Sequence, residues 1–545
     1  MPTPTFHLLD DPWLECEMLD GTVRMLSLQE LAAQLGSIRD LRGDWKPQQY
    51  ALHRVLLAMF WRAHRDDQPL QNRRDASRFD MWWVATRELF QQDPADTPLR
   101  DYLEQHRDRF ALFGPTPFMQ VANLETSKGT YSEVRRLVPE VESDFFTTAA
   151  GEGATQISFA EASRWVVSLQ AFDYSGIKSG ALGDPRVKGG KGYPIGTGWS
   201  GMTGGVLIKG SNLAETLLLN TDPKTVFTPD TADDLPAWER EPDSAAERSL
   251  PEPTGPCDLL TWQSRRIRLF TEGDMVTGVL VSNGDQIPGA GANILSDPMT
   301  PYRFSSNKSK AGKQVFYPRP HDSERTIWRG LAPLLAREGF VFELKKNELP
   351  PKAPKTIEHL GQLNDSGQLD HDLHVGLELI SVEYGPQSSS IVDTVYAQLE
   401  LPPNSFSQHD LRVGNAILAA SKATQEAALA LGRFSGELNV AAGGDYAFDA
   451  VSAGSLLDSL SPAFREWLTT LSSGQTNQAL TGWFAHVRRT VREHADVLLT
   501  GAGARALVGR EKDERFVSAG TAHQRLLRNL STILPTPEPQ EQAAS

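Results

Sequence analysis

Residues 187–205 read VKGGKGYPIGTGWSGMTGG, and eight of these positions are glycine. Within them Gly196–Gly201, GTGWSG, matches the G-x-G-x-x-G fingerprint of dinucleotide-binding folds letter for letter. How this stretch is read decides the fold. A dinucleotide loop needs a buried hydrophobic strand before its glycines and a helix opening at the third. Here PRVKGGKGYPI comes first, too polar and glycine-rich for a central strand. MTGGVLIKG follows, and its glycines and β-branched residues argue against a stable helix. A nucleotide-triphosphate loop fails too, with Pro185 where the first glycine belongs and Gly192 where Ser or Thr must hold magnesium. What survives is a loop whose bare backbone comes close to something, with Lys188, Lys191 and Lys209 at hand. Glycines remove the side-chain barrier, and their N–H groups can donate to phosphates or base edges. A plain connection between sheet elements is the other reading.

Outward from this loop, the first 145 residues read as mixed, with helices dominant. QYALHRVLLAMFWRAHRD carries Leu52, Val55, Leu56, Met59 and Phe60 on one helical face. SRFDMWWVATRELFQQ repeats the period, which gives Trp82 and Trp83 a core role. Residues 221–256 hold nine acidic and three basic residues and read as a Pro-rich surface loop. LLTWQSRRIRLF and MVTGVLVSNGD alternate like strands, and HVGLELISVEYGPQSSSIVDTVYAQLELP reads as two β-rich arms around a turn at Tyr384–Ser388. After Pro403 the pattern turns helical. A long helix ending at the glycine of GRFSG is followed by stretches near 446–473, 475–499 and 514–533. The expected fold class is α+β: a large mixed α/β N-terminal domain over 1–403, then a C-terminal four-helix bundle over 404–535. Residues 536–545 read as a disordered tail.

The bulk properties bound the function. At 545 residues the chain can hold more than one domain and a sizeable core. Its start, MPTPTFHLLDDPWL, has no basic n-region, so no secretory signal is expected. No apolar run is long enough to span a bilayer. Two cysteines, Cys16 and Cys257, exclude a disulfide framework and point to a reducing, cytoplasmic setting. The net charge of −15 argues against nucleic acid, but the charge is segregated: residues 303–329 carry seven Lys or Arg against two acids. An enzyme reading rests on His371 and His374 near Asp370 and Asp372, and on His321-Asp322, residue types that can bind a metal. That alternative is a metal-dependent nucleic-acid-processing enzyme. A solvated turn before a strand accounts for the histidine pair as well.

Several short motifs occur together in order: FHLLDDPWL, ALHRVLLAMFWRAH, FGPTPFMQ at Phe113–Gln120, LLTWQSRRIRL and the helical C-terminal region. In these the chain resembles the large subunit, the CasA family, of the type I-E CRISPR Cascade surveillance complex, over nearly its whole length. The resemblance implies a non-catalytic subunit without cofactor. Its implied partners are crRNA, double-stranded target DNA bearing a protospacer-adjacent motif (PAM), the other Cascade subunits and a helicase-nuclease, with no membrane. It implies PAM recognition through the minor groove, help in opening the duplex for R-loop formation, and help in recruiting the helicase-nuclease. Carried over by position, the crRNA-handle contact falls at Asp144–Thr148, with Phe145, Phe146, Thr147 and Thr148, and Phe146 would stack on a splayed base. This sequence has Thr147-Thr148 where the family has an aliphatic residue and Asn. The glycine loop against the PAM falls at Lys188–Gly192, with Gly189, Gly190 and Gly192 as contact points. A minor-groove lysine is expected among Lys308, Lys310 and Lys313. The wedge is the tip of the hairpin 375–400, where Gln387 would insert beneath the PAM beside Pro386, itself standing where the family has a polar residue. On the bundle, Arg488, Arg489 and Arg492 read as a solvated face or a contact for the displaced strand.

Overall fold

The computed structural model describes residues 4–139, 155–227, 233–249, 252–321, 326–336, 348–369, 375–472, 474–512 and 515–535, apart from 73, 76 and 311. The chain divides into two compact units. One comprises Met1–Ser323, Leu344–His359 and Gly376–Gln398, the other Glu324–Glu343, Leu360–Val375 and Leu399–Ser545.

In the first unit, strand Leu14–Met18 lies between antiparallel Val23–Leu26 and Ile38–Leu41. Its sequence LECEM alternates, so Leu14, Cys16 and Met18 are buried while the two glutamates face outward. Next comes the helix Lys46–Ala63, which the sequence pattern makes one-faced. The structure instead buries every residue from Pro47 to Trp61. Its charged and histidine side chains tolerate this because they meet partners. His53 Nε2 lies 2.9 Å from the Asp40 carboxylate, and Arg54 donates to Asp297 at 2.8 Å. Trp82 and Trp83, on the helix Arg78–Gln92, are buried.

A second sheet pairs Arg265–Glu272 with Met275–Asn283 through a turn at Gly273. The reading that began this strand at LLTW is corrected. Pro256–Leu260 is a short helix whose first backbone N–H groups, on Cys257 and Asp258, donate to Asp234. The acidic segment therefore has little regular structure but is no free surface loop. Trp238 is buried, and Glu239 accepts from Arg62 at 2.7 and 2.6 Å. A third sheet runs Ile391–Leu401, Val375–Tyr384, Gly205–Lys209, all antiparallel neighbours by register or hairpin.

The second unit centres on the helix Arg412–Ala441, which packs against Ala450–Thr469, Thr476–Gly501 and Ala519–Ile533. The fold class is α+β, a mixed α/β N-terminal domain followed by a C-terminal helical bundle. The long helix does not stop at the glycine of GRFSG. Gly436 lies inside it, where a Cβ would come 2.5 Å from the Ala447 carbonyl oxygen, so the glycine serves close packing. Helix Thr326–Leu335 packs on Arg412–Ala441 and so belongs with this unit although it precedes residue 403. A small antiparallel pair, Arg510–Lys512 with Arg515–Val517, takes up the start of the helical stretch expected near 514–533, whose helix begins only at Ala519. Among the described residues no helix is long and apolar enough to cross a membrane.

Candidate nucleic-acid interface

The glycine-rich stretch makes a hairpin turn. Lys188 and Lys191 exchange backbone hydrogen bonds of 3.0 and 3.2 Å across Gly189 and Gly190. Both glycines have positive φ, +59° and +74°, the conformation a two-residue hairpin loop demands and glycine adopts without steric cost. The strand after the turn pairs with Lys178–Ser179. Nothing stands within 4 Å of where a Cβ on Gly189 or Gly190 would lie, so both present bare backbone to solvent. Lys188 and Lys191 are exposed on either side. Gly192 is different: it is buried, and its Cβ would meet the Asn283 amide at 2.8 Å. Its glycine therefore has a packing reason, and the outward-facing pair is Gly189 and Gly190.

GTGWSG does open a helix, contrary to the sequence reading, but only the five residues Trp199–Thr203, ended by Gly204 at φ +61°. The glycines permit close approach. A Cβ on Gly198 would overlap the Ala171 carbonyl, and one on Gly201 the Tyr384 hydroxyl. The strand just before them is the two-residue Lys191–Gly192, with Lys191 exposed, so it is not the buried central strand a dinucleotide loop needs. A dinucleotide loop is not built here.

At the tip between Val375–Tyr384 and Ile391–Leu401, Gln387 is exposed and has φ +58°, followed by Ser388 at +53°. Two successive non-glycine residues in the left-handed region cost about 1–2 kcal/mol each, so the surroundings must hold them. Ser388 N–H donates to Gly385 O at 2.8 Å, Ser389 N–H to Pro386 O at 3.3 Å, and Gly385 N–H to Ser390 O at 3.0 Å. Two hydrogen bonds carry the tip to the chain around the end of helix Phe159–Phe172. Ser175 N–H donates to Ser388 O at 2.6 Å, and Tyr384 Oη donates to Phe172 O at 2.7 Å. Burial and the nearby Asp173 carboxylate hold the Tyr384 phenol well above its usual pKa, so it stays a donor. Pro386 is exposed beside Gln387.

The basic segment supplies a third projecting turn. Strands Tyr302–Phe304 and Phe316–Pro318 pair antiparallel, and Lys310 and Lys313 exchange backbone bonds of 3.1 and 2.9 Å beyond them. Lys308, Lys310 and Lys313 are all exposed, and none has an ion-pair partner among the described residues. At the base, Asn293 donates to Gln314 O at 3.0 Å and accepts from Phe316 N–H at 2.8 Å. Next to it a Cβ on Gly291 would sit 3.2 Å from Trp199, Met202 and Pro318, so this turn stands on the GTGWSG helix.

A sequence model of the family described as CRISPR-associated protein Cse1 matches residues 7–494. The chain belongs to the Cse1 family. A curated relative from Thermus thermophilus, CRISPR-associated protein CasA/Cse1, is 30% identical over 376 residues. That match covers 66% of this chain and 65% of the relative, just under two thirds of its length. The crystal structure of Thermobifida fusca Cse1 is 35% identical, with a TM-score of 0.84 over 98% of each chain. A chain from a structure described as a CRISPR RNA-guided surveillance complex is similar in fold, with a TM-score of 0.64 and 18% identity over 91% of this chain and 99% of that one.

For this Cse1 family member the structure brings the expected glycine turn, glutamine tip and lysine turn into one unit. The handle-contact residues Phe145, Phe146, Thr147 and Thr148 lie outside the described residues, as do Asp322, His371 and His374. His321 does not sit in an open metal site. It is half-buried, its Nε2 bonds to Gly205 O at 3.0 Å, and desolvation pushes its pKa down to about 4. Among the described residues no three His, Cys, Asp or Glu side chains gather to hold a metal ion. On the bundle, Arg488 donates to Leu534 O and Arg489 lies 2.8 Å from His486 Nδ1, while Arg492 is exposed.

Proposed function

We propose that this chain is a non-catalytic subunit of a crRNA-guided antiviral surveillance complex in the cytoplasm, and that it reads the PAM of duplex DNA through the minor groove. The observation that carries the reading is the exposed Gln387, held in left-handed backbone and bonded through Ser388 to the segment that pairs with the glycine turn. Family membership and the likeness of fold to a surveillance-complex chain support the assembly.

The physical roles follow from the residue types. Bare backbone at Gly189 and Gly190 admits the edge of a duplex where any side chain would stand off. The minor groove mainly separates A·T from G·C, so this reader accepts several related PAMs. One lysine of Lys308, Lys310 and Lys313 enters the groove, and the others neutralise phosphates. Gln387 inserts beneath the PAM beside Pro386. Opening a base step costs a few kcal/mol, which an inserted amide offsets by donating and accepting at once. Guide pairing then extends the R-loop, and the protein reads only the short flanking motif, a division of labour known in another effector class. In the same reading Phe145–Thr148 touch the crRNA handle, and the assembled surface helps to recruit the helicase-nuclease.

The test is binding of a PAM duplex and a PAM-scrambled duplex by the reconstituted crRNA complex at fixed salt. It is run with the chain, without it, and with Gln387→Ala. Omission should remove the preference for the PAM duplex, and Gln387→Ala should lower it. An unchanged preference without the chain, or metal-dependent turnover of DNA by the chain alone, overturns the reading.

A further inference from the structure

The glycine turn and the glutamine tip are separate in sequence, yet both lean on residues 173–179. Asp173, at the end of helix Phe159–Phe172, is buried. Its carboxylate meets three cations: Arg136 at 2.5 Å, Lys178 at 3.1 Å, and Arg265 through Nε. Lys178 Nζ also donates to Tyr174 O at 2.9 Å and stands 3.7 Å from the centre of the Tyr174 ring, which Arg136 approaches at 4.7 Å. Arg265 donates to Tyr174 O and to Gly196 O, both at 2.8 Å. Ser175 Oγ accepts from Gly196 N–H at 3.2 Å, while Ser175 N–H holds Ser388. Lys178 itself lies on the strand paired with the glycine turn.

Charge counting separates stability from position. Two arginines already satisfy the carboxylate with hydrogen bonds, and a third buried cation adds desolvation cost without a second anion. Burial pushes the Lys178 ammonium down to about 7 in spite of Asp173. The cation that folding needs least is thus the one mounted on the strand of the glycine turn.

We propose that Asp173, acting through Lys178, is a positioning residue that sets the glycine turn and the Gln387 tip in one register, so that PAM discrimination depends on this centre separately from general DNA binding. This rests on the PAM-reading role proposed above. Recognition elements must be held to within about half an ångström to act together, and a buried centre with four charged members from three chain segments supplies that rigidity.

The test uses the full chain in the reconstituted complex. Asp173→Asn leaves three cations facing an amide and risks the fold, so the deciding variant is Lys178→Met, which keeps the stem and both arginine contacts. Lys178→Met should lower the ratio of PAM to scrambled affinity roughly tenfold, with scrambled binding and the unfolding midpoint little changed. In a double-mutant cycle with Gln387→Ala the two losses should fall short of adding, which a merely architectural lysine would not produce. An unchanged ratio, equal weakening of both duplexes, additive losses, or failure to enter the complex would each overturn the proposal. If Gln387→Ala lowers the ratio and Lys178→Met does not, only this inference falls. If neither does, the PAM-reading role falls with it.

Discussion

Ser175 N–H donates to the carbonyl oxygen of Ser388 at 2.6 Å, joining the turn after a core helix to the tip of a hairpin more than two hundred residues away in sequence. The bond fixes the residue directly after Gln387, and with it the direction in which the glutamine projects. Ser388 has φ +53°, and its carbonyl accepts from outside the hairpin. The strained backbone and the tether are one device.

That device predicts a split between stability and recognition at Gln387. Glycine populates positive φ freely, so Gln387→Gly should leave stability unchanged or raise it by about 1 kcal/mol. It also deletes the amide proposed as the wedge. Thermal unfolding should therefore hold or improve while PAM-dependent binding falls.

The glycines should sort in the same two ways. Gly190→Ala meets nothing within 4 Å in the free protein, so its stability loss is confined to backbone strain of about 1–2 kcal/mol. DNA binding should fall further than that, because the methyl occupies the space proposed for the duplex. Gly192→Ala instead presses on Asn283 and should lower stability first. Unfolding midpoints measured beside binding curves separate the two.

For the lysine turn, the slope of log affinity against log salt is the natural measure. Replacing a phosphate-contacting lysine by Gln should reduce that slope by about one unit and weaken all sequences alike. Among Lys308, Lys310 and Lys313, the one proposed to enter the minor groove should instead change the ranking of PAM sequences.

His64 gives a pH prediction far from the interface. Its Nδ1 lies 2.7 Å from Asp67 and its Nε2 3.2 Å from Asp96. Burial opposes the charge, but the two carboxylates outweigh it and raise the pKa from 6.5 to about 9. The folded chain thus holds this proton more tightly than the unfolded one. The stability it contributes, up to about 3 kcal/mol, is complete below pH ~6.5 and lost as pH rises through ~9. The unfolding midpoint should fall across that range, and H64Q should flatten the fall.

Much of this architecture was legible in the sequence, and the exceptions share a cause. The arms of the 375–401 hairpin show as β-rich runs around Tyr384-Gly385-Pro386-Gln387, and the bundle shows as helical periods. Both signals are local. The all-round burial of Lys46–Ala63 was not legible, because Gln49, His53 and Arg54 look solvent-facing until Asp40 and Asp297 come to meet them. The short helix in GTGWSG was missed because five residues carry no period, and Gly198 and Gly201 are explained only by Ala171 and Tyr384. Likewise the Asp173 centre draws on residues 136, 173, 178 and 265, which no spacing rule connects. Buried ionic partners come from the fold, and a motif search sees one member at a time.

Gln387 is proposed to open the first base pair beside the PAM. The most direct measurement places the fluorescent base 2-aminopurine at that position in a target duplex and adds the reconstituted crRNA complex, using a guide mismatched throughout its seed so that pairing cannot drive the opening. Fluorescence should rise with the native chain only when the PAM is present, and should not rise with Gln387→Ala. An equal rise with the alanine variant, at the same occupancy, would contradict it.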